Sequence, residues 1–326
     1  MTTIAVIDLF PVNLNPAIRS VARPGWNVLL ASESGGTPLT EITRQAEVLW
    51  AGATPTTAAL LAASPDLRFL QKLGAGVDNV AMERVREQRI VVARLAGVNG
   101  DTVAEHVIML LLAIYRRLPL VDRRVRAGEW FKEEARGIHR EIRGKTVGIV
   151  GLGYTGRALA VRLRAFGANV IYSDPIRAPL AIETDLGLQY VDLDDLAARA
   201  DVISLHTPLV DATRNLIDAR RIALMKADAV LINCARGGLV DERALARALR
   251  EGLILGAGID CFANEPPGPS ELFALENVVV TPHIAGTTLD NFSYMMERAA
   301  SNTEAFLTGK TLPAEDTVYV PERTQG

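Results

Sequence analysis

The sequence has little cysteine, few aromatic residues and no large excess of charge of either sign. Only Cys234 and Cys261 occur among 326 residues, and aromatic residues make up 5%. Two cysteines without metal-ligand spacing exclude a disulfide framework and predict no metal site, and they favour a reducing compartment, so we expect a cytoplasmic protein. Lys and Arg number 35 against 38 Asp and Glu. This balance argues against nucleic acid or an anionic membrane as a partner.

The sequence also lacks a long hydrophobic run. The longest extends from Val107 to Tyr115 and ends at two arginines, whereas a membrane-spanning helix needs roughly 20 apolar residues. The first ten residues contain no charged region ahead of an apolar stretch, so no signal peptide is expected. The arginines of segment 116–126 alternate with apolar residues, which favours a solvated helix face over a nucleic-acid patch.

Hydrophobic residues make up 49% of the chain, enough for two cores at this length. Short runs rich in β-branched residues alternate with helical patterns, which is typical of parallel strands buried by crossover helices. The predicted strands are Thr3–Ile7, Asn27–Leu30, Val48–Ala51, Phe69–Lys72, Ile90–Ala93, Thr146–Val150, Asn169–Tyr172, Val202–His206, Ala229–Asn233, Gly256–Asp260 and Val278–Thr281.

The strands form two series, which predict an α/β protein with two doubly wound parallel-sheet domains. The apolar segment Thr102–Arg117 lies between the series and suits a helix packed between two bodies. The helix predicted for Asp290–Leu307 follows the second series and would return to the first body. We therefore expect a discontinuous first domain of residues 1–100 and 288–326, with residues 101–287 inserted in it.

A glycine motif directly follows the first strand of the second series. It reads Gly151-Leu152-Gly153-Tyr154-Thr155-Gly156, and a helical pattern follows it. In this context the first glycine permits a tight turn, the second lets a pyrophosphate approach the backbone, and the third permits close packing of helix and strand. The phosphates would meet free N–H groups at the helix N-terminus. The motif predicts a Rossmann domain that binds a dinucleotide.

Asp174 ends the next strand, about twenty residues beyond the glycines. A carboxylate at this position accepts hydrogen bonds from the ribose hydroxyls and repels a 2′-phosphate. The sequence therefore favours NAD over NADP, although Arg177 lies close enough in sequence to weaken this preference.

Three polar segments follow later strands of the same series. They contain Arg236, then Asp260 and Glu265, then His283. Carboxyl ends of parallel strands meet at one edge of a sheet, so we expect these groups to converge there. An Arg can hold a carboxylate and a carbonyl, a His can supply a proton as hydride arrives, and a carboxylate can orient that His. The set indicates hydride transfer to a small oxo acid.

With these motifs, the chain from Gly74 to Gly286 resembles the D-isomer-specific 2-hydroxyacid dehydrogenases. The resemblance implies a flavodoxin-like substrate domain, a homodimer formed partly through Leu118–Arg143, and Arg236, Glu265 and His283 as the catalytic residues. It implies that Gly74, Ala75 and Gly76 bind the substrate carboxylate together with Arg236. The implied NAD-binding residues are Gly151, Gly153, Tyr154, Thr155, Gly156, Asp174, His206, Thr207, Pro208, Cys234, Ala235, Asp260 and Gly286.

Several functions remain open within this resemblance. Formate dehydrogenases share the architecture but have Gln at the position of Glu265, so the Glu and His favour interconversion of a carbonyl and an alcohol. Phosphoglycerate dehydrogenases hold phosphate partly with an Arg at the position of Ala51, which favours a small substrate without phosphate, such as glyoxylate or hydroxypyruvate. Lys72 offers one charge nearby. The sequence ends at Gly326, so we expect no regulatory domain, but short phosphoglycerate dehydrogenases also exist. An NADH-sensing, corepressor-like binding protein is the alternative from another class.

Overall fold

The computed structural model describes residues 1–322 of the chain, so residues 323–326 of the predicted first domain lie outside the described residues. The described residues form thirteen strands. Numbered in chain order, they are β1 (Thr2–Val6), β2 (Trp26–Leu30), β3 (Val48–Ala51), β4 (Phe69–Lys72), β5 (Val91–Ala93), β6 (Thr146–Val150), β7 (Asn169–Ser173), β8 (Leu188–Tyr190), β9 (Val202–Leu205), β10 (Val230–Asn233), β11 (Gly256–Ile259), β12 (Val278–Val280) and β13 (Thr317–Tyr319).

The same residues form thirteen α-helices, most of them between consecutive strands. They are α1 (Asn15–Ser20), α2 (Leu39–Ile42), α3 (Ala58–Ala62), α4 (Met82–Glu87), α5 (Gly100–Tyr115), α6 (Leu118–Arg126), α7 (Lys132–Ala135), α8 (Tyr154–Ala165), α9 (Leu180–Leu186), α10 (Leu193–Arg199), α11 (Ala219–Leu224), α12 (Glu242–Arg250) and α13 (Leu289–Leu307). Within residues 1–322, no helix combines the length and the apolar character needed to cross a membrane.

The chain divides into two compact units. Unit 1 comprises residues 1–98 and 288–326, and unit 2 comprises residues 99–287. The sheet of unit 1 has the order β13-β5-β4-β3-β1-β2 and is parallel except for β13, which pairs antiparallel with β5. Helix α13 packs on this sheet, where Phe292 and Met296 join the same core as Trp50. The indole Nε1 of Trp50 donates a hydrogen bond of 2.9 Å to Thr303 Oγ1 on α13.

The sheet of unit 2 is parallel throughout and has the order β12-β11-β10-β9-β6-β7-β8. Helix α5 packs against β11, and two glycines of that strand make the contact possible. A Cβ at Gly256 would lie 2.8 Å from Ile114 Cγ2, and one at Gly258 would lie 3.1 Å from Leu110 Cβ. The sequence Gly256-Ala257-Gly258 therefore brings the helix unusually close to the sheet.

The fold class is confirmed, with two differences from the predicted strands. The predicted set lacked β8 and β13, each three residues long and without a readable alternation. Strand β13 also makes the first sheet mixed rather than purely parallel. Its pairing with β5 joins segments more than two hundred residues apart, which local sequence patterns do not encode.

Candidate active site

The sheet of unit 2 reverses its direction of growth between β6 and β9. After β6, the chain adds β7 and β8 on one side and then returns to add β9 on the other. Doubly wound sheets bind ligands at this point, outside the carboxyl ends of the two strands. Gly151 follows β6, and His206 follows β9 and donates its backbone N–H to Val150 O at 2.7 Å. The glycine motif and the His206-Thr207-Pro208 turn therefore lie side by side.

The glycines of the motif fulfil different steric requirements. Gly151 has φ 95°, and a Cβ there would lie 2.9 Å from the carbonyl carbon and oxygen of His206. A Cβ at Gly156 would lie 2.3 Å from Gly151 O, so helix α8 approaches the turn as closely as the backbone allows. At Gly153, by contrast, a Cβ would meet nothing within 4 Å. Tyr154 and Thr155 are the first residues of α8, whose N-terminal N–H groups border this open space.

Asp174 follows β7 and is fixed by the backbone around it. Its Oδ2 accepts a hydrogen bond of 2.8 Å from Leu152 N, inside the glycine motif, and its Oδ1 accepts one of 2.9 Å from Ile176 N. Each carboxylate oxygen retains a second lone pair for a ligand hydroxyl. Arg177, three residues on, donates to both oxygens of Glu183 at 2.8 and 2.9 Å. Arg177 lowers the pKa of Glu183 to about 2, with Tyr172 as a second donor.

The turn after β9 carries a neutral imidazole and an unsatisfied hydroxyl. Burial lowers the pKa of His206 to about 4, and its Nε2 lies 2.8 Å from Ser204 Oγ. The buried Oγ1 of Thr207 has no hydrogen-bond partner among residues 1–322. Such a group normally has a partner, so its position fits a bound ligand that completes the site. The open space at Gly153, the N-terminus of α8, Asp174 and Thr207 together fit a dinucleotide.

The loop after β10 presents Arg236. Its backbone is held by buried Asn233, whose Nδ2 donates to Arg236 O at 2.8 Å and whose Oδ1 accepts from Ala235 N at 3.1 Å. The guanidinium Nη1 donates to Ala235 O at 2.7 Å. The Asn233 side chain thus fixes the backbone at Arg236, a role that the sequence analysis did not assign to it.

Glu265 and His283, predicted to act together, are in direct contact. His283 Nδ1 lies 2.6 Å from Glu265 Oε2, and the other carboxylate oxygen accepts from Phe262 N at 3.0 Å. The two side chains are 37% and 44% exposed for Glu265 and His283, respectively. Because Glu265 engages Nδ1, the tautomer with hydrogen on Nδ1 leaves Nε2 for a ligand.

Buried Asp260 holds the loop that carries His283. Its carboxylate accepts from Thr281 Oγ1 at 2.6 Å, Ile284 N at 2.9 Å and Ala285 N at 3.0 Å, while its carbonyl accepts from His283 N at 2.8 Å. His283 adopts φ 53°, a left-handed conformation that costs energy for a residue with a side chain. The Asp260 hydrogen bonds offset this cost and so determine where the imidazole lies.

His106 extends this network from α5. Its Nε2 lies 3.0 Å from Thr281 Oγ1 and 3.6 Å from Asp260 Oδ1. Burial lowers the pKa of His106, although the charge of Asp260 acts in the opposite direction. His106 therefore supports the loop as a largely neutral ring that hydrogen-bonds with Thr281.

Two residues that the sequence analysis missed position the peptide between Phe262 and Ala263. A Cβ at Gly237 would lie 1.8 Å from Phe262 C, so the Arg236 loop touches the backbone of the Glu265 loop. Glu242, the first residue of α12, accepts a hydrogen bond of 2.6 Å from Ala263 N. Burial raises the pKa of Glu242, and the charge of Glu265 adds to this effect. The two glycines after Arg236 were the available sequence signal for this close approach.

The remaining predicted residues lie where their strands end. Cys234 and Ala235 follow β10, and burial raises the pKa of the Cys234 thiol well above its usual value, which disfavours a nucleophilic thiolate. Gly286 follows the His283 loop in unit 2. Gly74, Ala75 and Gly76 follow β4 in unit 1, where a Cβ at Gly74 would meet nothing within 4 Å. The assignment of these residues to NAD and substrate stays a prediction.

Comparisons with known proteins identify the family. The model of the NAD binding domain of the D-isomer specific 2-hydroxyacid dehydrogenases matches residues 108–285. The chain is 42% identical to a glyoxylate reductase of Thermococcus litoralis over 78% of each chain. It is also 42% identical to a D-3-phosphoglycerate dehydrogenase of Mycobacterium leprae, over 80% of this chain but 49% of that protein. A solved D-lactate dehydrogenase of Aquifex aeolicus, in a complex with NAD and lactic acid, is 27% identical over 94% of this chain and 96% of its own, with a TM-score of 0.79.

The chain belongs to the D-isomer specific 2-hydroxyacid dehydrogenase family. It is an NAD-dependent oxidoreductase, as the glycine motif and the three strand-end segments predicted. The chain spans about half the length of the phosphoglycerate dehydrogenase it matches.

Proposed function

We propose that this dehydrogenase reduces a small 2-oxo acid without a phosphate group to the D-2-hydroxy acid, using NADH. The observation that carries the proposal is the 2.6 Å contact between Glu265 and His283, both partly exposed at the edge of the sheet where Arg236 also emerges. An imidazole held by a carboxylate suits proton exchange with an alcohol oxygen. Oxidation of formate to carbon dioxide has no such proton to exchange.

In this proposal, three side chains have separate roles in the reaction. Bound NADH supplies the hydride to the carbonyl carbon. Arg236 holds the carboxylate and carbonyl oxygens of the substrate with its planar fork and thereby orients the carbonyl. His283 donates the proton from Nε2 to the carbonyl oxygen, and Glu265 keeps the ring in place and stabilises its positive charge. In the reverse direction, neutral His283 accepts the proton from the hydroxyl group.

The environment of Lys72 supports a substrate without phosphate. Lys72 is 2% exposed, and its ammonium donates to Gly52 O and, at 2.8 Å, to Asn79 Oδ1. These bonds direct its charge into unit 1, and Ala51 supplies no charge beside it. Glyoxylate and hydroxypyruvate fit these conditions, and the similarity to a glyoxylate reductase agrees with them. The similarity to a phosphoglycerate dehydrogenase makes a phosphorylated oxo acid the second candidate.

The ion pair between Arg177 and Glu183 supports a preference for NAD over NADP. Arg177 lies close enough in sequence to attract a 2′-phosphate, but the two oxygens of Glu183 bind one edge of its guanidinium, at Nε and Nη2. We expect Asp174→Ala to weaken NADH binding and to improve the relative use of NADPH, because it removes both a ribose acceptor and a source of phosphate repulsion. The ratio of kcat/KM for NADH and NADPH measures this change. An unchanged ratio would contradict the role of Asp174.

A panel of oxo acids tests the proposed reaction. Oxidation of NADH is followed with glyoxylate, hydroxypyruvate, pyruvate and a phosphorylated hydroxypyruvate, and reduction of NAD is followed with formate. The highest kcat/KM should occur with an oxo acid that lacks phosphate. A preference for the phosphorylated acid would favour the second candidate. NADH binding without turnover on any substrate would reject the proposal and favour the corepressor-like alternative. The homodimer stays a prediction.

A further inference from the structure

A thiol lies beside the Glu265 and His283 pair. One ligand atom each from Cys261, Glu265 and His283, namely a sulfur, a carboxylate oxygen and a ring nitrogen, lie within 4.8 Å of one another. Cys261 is 1% exposed, whereas the other two side chains are 37% and 44% exposed. Thiolate, carboxylate and imidazole are the ligands that proteins use for Zn²⁺. The sequence analysis predicted no metal site because Cys234 and Cys261 have no metal-ligand spacing.

The three ligand atoms would have to shift to form a zinc site. With Zn–S near 2.3 Å and Zn–N and Zn–O near 2.0–2.2 Å, ligand atoms of a tetrahedral site lie about 3.3–3.6 Å apart. The 2.6 Å contact of Glu265 with His283 would have to widen for one ion to bind both. Both side chains are partly exposed. The Cys261 thiol donates a long bond of 3.5 Å to Ala235 O, which zinc ligation would replace.

The charges also match. A thiolate and a carboxylate together neutralise Zn²⁺, and neutral His283 adds a third ligand without charge. Three protein ligands leave the fourth position to water, as in sites that are open to solvent. Magnesium would not bind well here, because it prefers oxygen ligands.

A second cluster of the same type is a weaker candidate. His106, Cys234 and Asp260 also place ligand atoms within 4.8 Å of one another. The Asp260 oxygens, however, already accept from Thr281 Oγ1, Ile284 N and Ala285 N, and His106 Nε2 contacts the same hydroxyl. A metal ion there would break the hydrogen bonds that hold the His283 loop.

We propose that Cys261, Glu265 and His283 form a zinc-binding site through which Zn²⁺ inhibits this enzyme. Zinc would occupy the imidazole and the carboxylate that the proposed reaction needs for proton transfer. The inhibition rests on the proposed function, whereas zinc binding itself does not. Cys261 takes no part in the proposed reaction, so it provides a way to separate the two.

The test measures zinc affinity and activity separately. Zn²⁺ is titrated into the whole protein against a chromogenic zinc chelator, and oxo acid reduction is measured at the same free Zn²⁺ concentrations. We expect Cys261→Ser and Cys261→Ala to retain NADH binding and turnover without zinc and to bind Zn²⁺ at least about tenfold more weakly. The concentration for half-inhibition should rise by the same factor. Mg²⁺ should neither bind nor inhibit in this range.

Cys234→Ala is the matched control for zinc affinity, since it removes the other buried thiol. It should leave the affinity within about twofold of wild type, because the proposed site does not include it. Unchanged affinity in both Cys261 variants, or a loss in Cys234→Ala alone, would overturn the proposed site. Binding that depends on Cys261 but causes no inhibition of an active enzyme would overturn the inhibitory role. If no oxo acid is turned over while zinc binding still depends on Cys261, the proposed function fails and the metal site stands.

Discussion

The two sheets of this protein share a winding pattern but differ at the point where the direction of strand addition reverses. In unit 1 the reversal lies between β1 and β3, and in unit 2 it lies between β6 and β9. In unit 1 the carboxylate of Asp8, which follows β1, accepts backbone hydrogen bonds from Gly52 N and, at 2.8 Å, from Thr54 N, after β3. A side chain of the protein thus bridges the crevice that topology creates.

In unit 2 the corresponding crevice is kept open. Glycine occupies position 151 where a Cβ would strike His206, and position 153 where a Cβ would project into empty space. The carboxylate that serves the same purpose as Asp8 lies farther along the sheet, where Asp260 holds the loop after β12. Winding order therefore provides a crevice in each sheet, which Asp8 bridges in unit 1 and which the glycines leave open in unit 2.

The largest expected effect comes from replacing Glu265 or His283, which form an exposed pair. His283→Ala and Glu265→Gln should each lower kcat for oxo acid reduction within a span of about 10²–10⁴-fold, because each removes part of one proton-transfer unit. NADH affinity should change little. The double variant should lose hardly more than the worse single variant, since residues that act as a unit are not additive. Losses that multiply would separate the two residues into independent roles.

Gly237→Ala should have the next largest effect. The added methyl group would collide with the backbone at Phe262 and push the Arg236 and Glu265 loops apart, and a displacement of about 1 Å can cost about 10²-fold in rate. Gly238→Ala is the matched control, because its Cβ would meet no backbone among its nearest atoms but the side chains of Leu209, at 3.1 Å, and Arg214, at 3.7 Å. Steady-state kcat of the two variants measures the difference. Equal rates would show that the backbone contact is unimportant for catalysis.

Asp8→Asn and Asp260→Asn sharpen the comparison of the two sheets directly. Each replaces a buried carboxylate with a group that presents an N–H to backbone donors, and hydrogen bonds to charged groups are worth about 1.5–3 kcal/mol. Both should therefore lower the free energy of unfolding. Only Asp260→Asn should also lower kcat by more than about tenfold, because only Asp260 holds the loop of His283, the proposed proton donor. A similar kcat loss in Asp8→Asn would contradict this distinction.

The smallest effect concerns Glu242 and appears as a pH dependence of stability. Burial raises its pKa above the ordinary 4.5 in the folded protein, so the folded protein retains a proton that the unfolded chain has lost. Its contribution to stability is therefore full below 4.5 and is lost as the pH rises through the raised pKa. Glu242→Gln does not titrate. The Tm of Glu242→Gln minus that of wild type should therefore increase as the pH rises from about 4 to about 7.

Glu271→Gln is the control with the opposite sign. Arg250 lowers the pKa of Glu271, mainly through a side-chain hydrogen bond, so wild type gains stability as the pH rises through this range. The Tm of Glu271→Gln should then fall relative to wild type. If the Tm difference of Glu242→Gln does not vary with pH, burial of Glu242 has no energetic consequence.

The sequence by itself determined the fold class, nearly every strand and the family. These features depend on local patterns: β-branched runs of strand length, a glycine spacing that only a phosphate-binding turn requires, and polar residues placed directly after strands. The contact between Glu265 and His283 could be expected because parallel strands bring their carboxyl ends to one edge of the sheet.

Only the tertiary structure decided which polar groups are available for chemistry. Lys72 and Arg177 looked like free cations in the sequence, but Asn79 and Glu183 engage them. Asp260 was predicted to line the cofactor site, which stays a prediction, and the structure shows that its oxygens also hold the backbone around His283. The partners of a side chain come from residues distant in sequence. A buried charge needs such partners because burial of an unpaired charge costs free energy. Local patterns record the residue but not its partners.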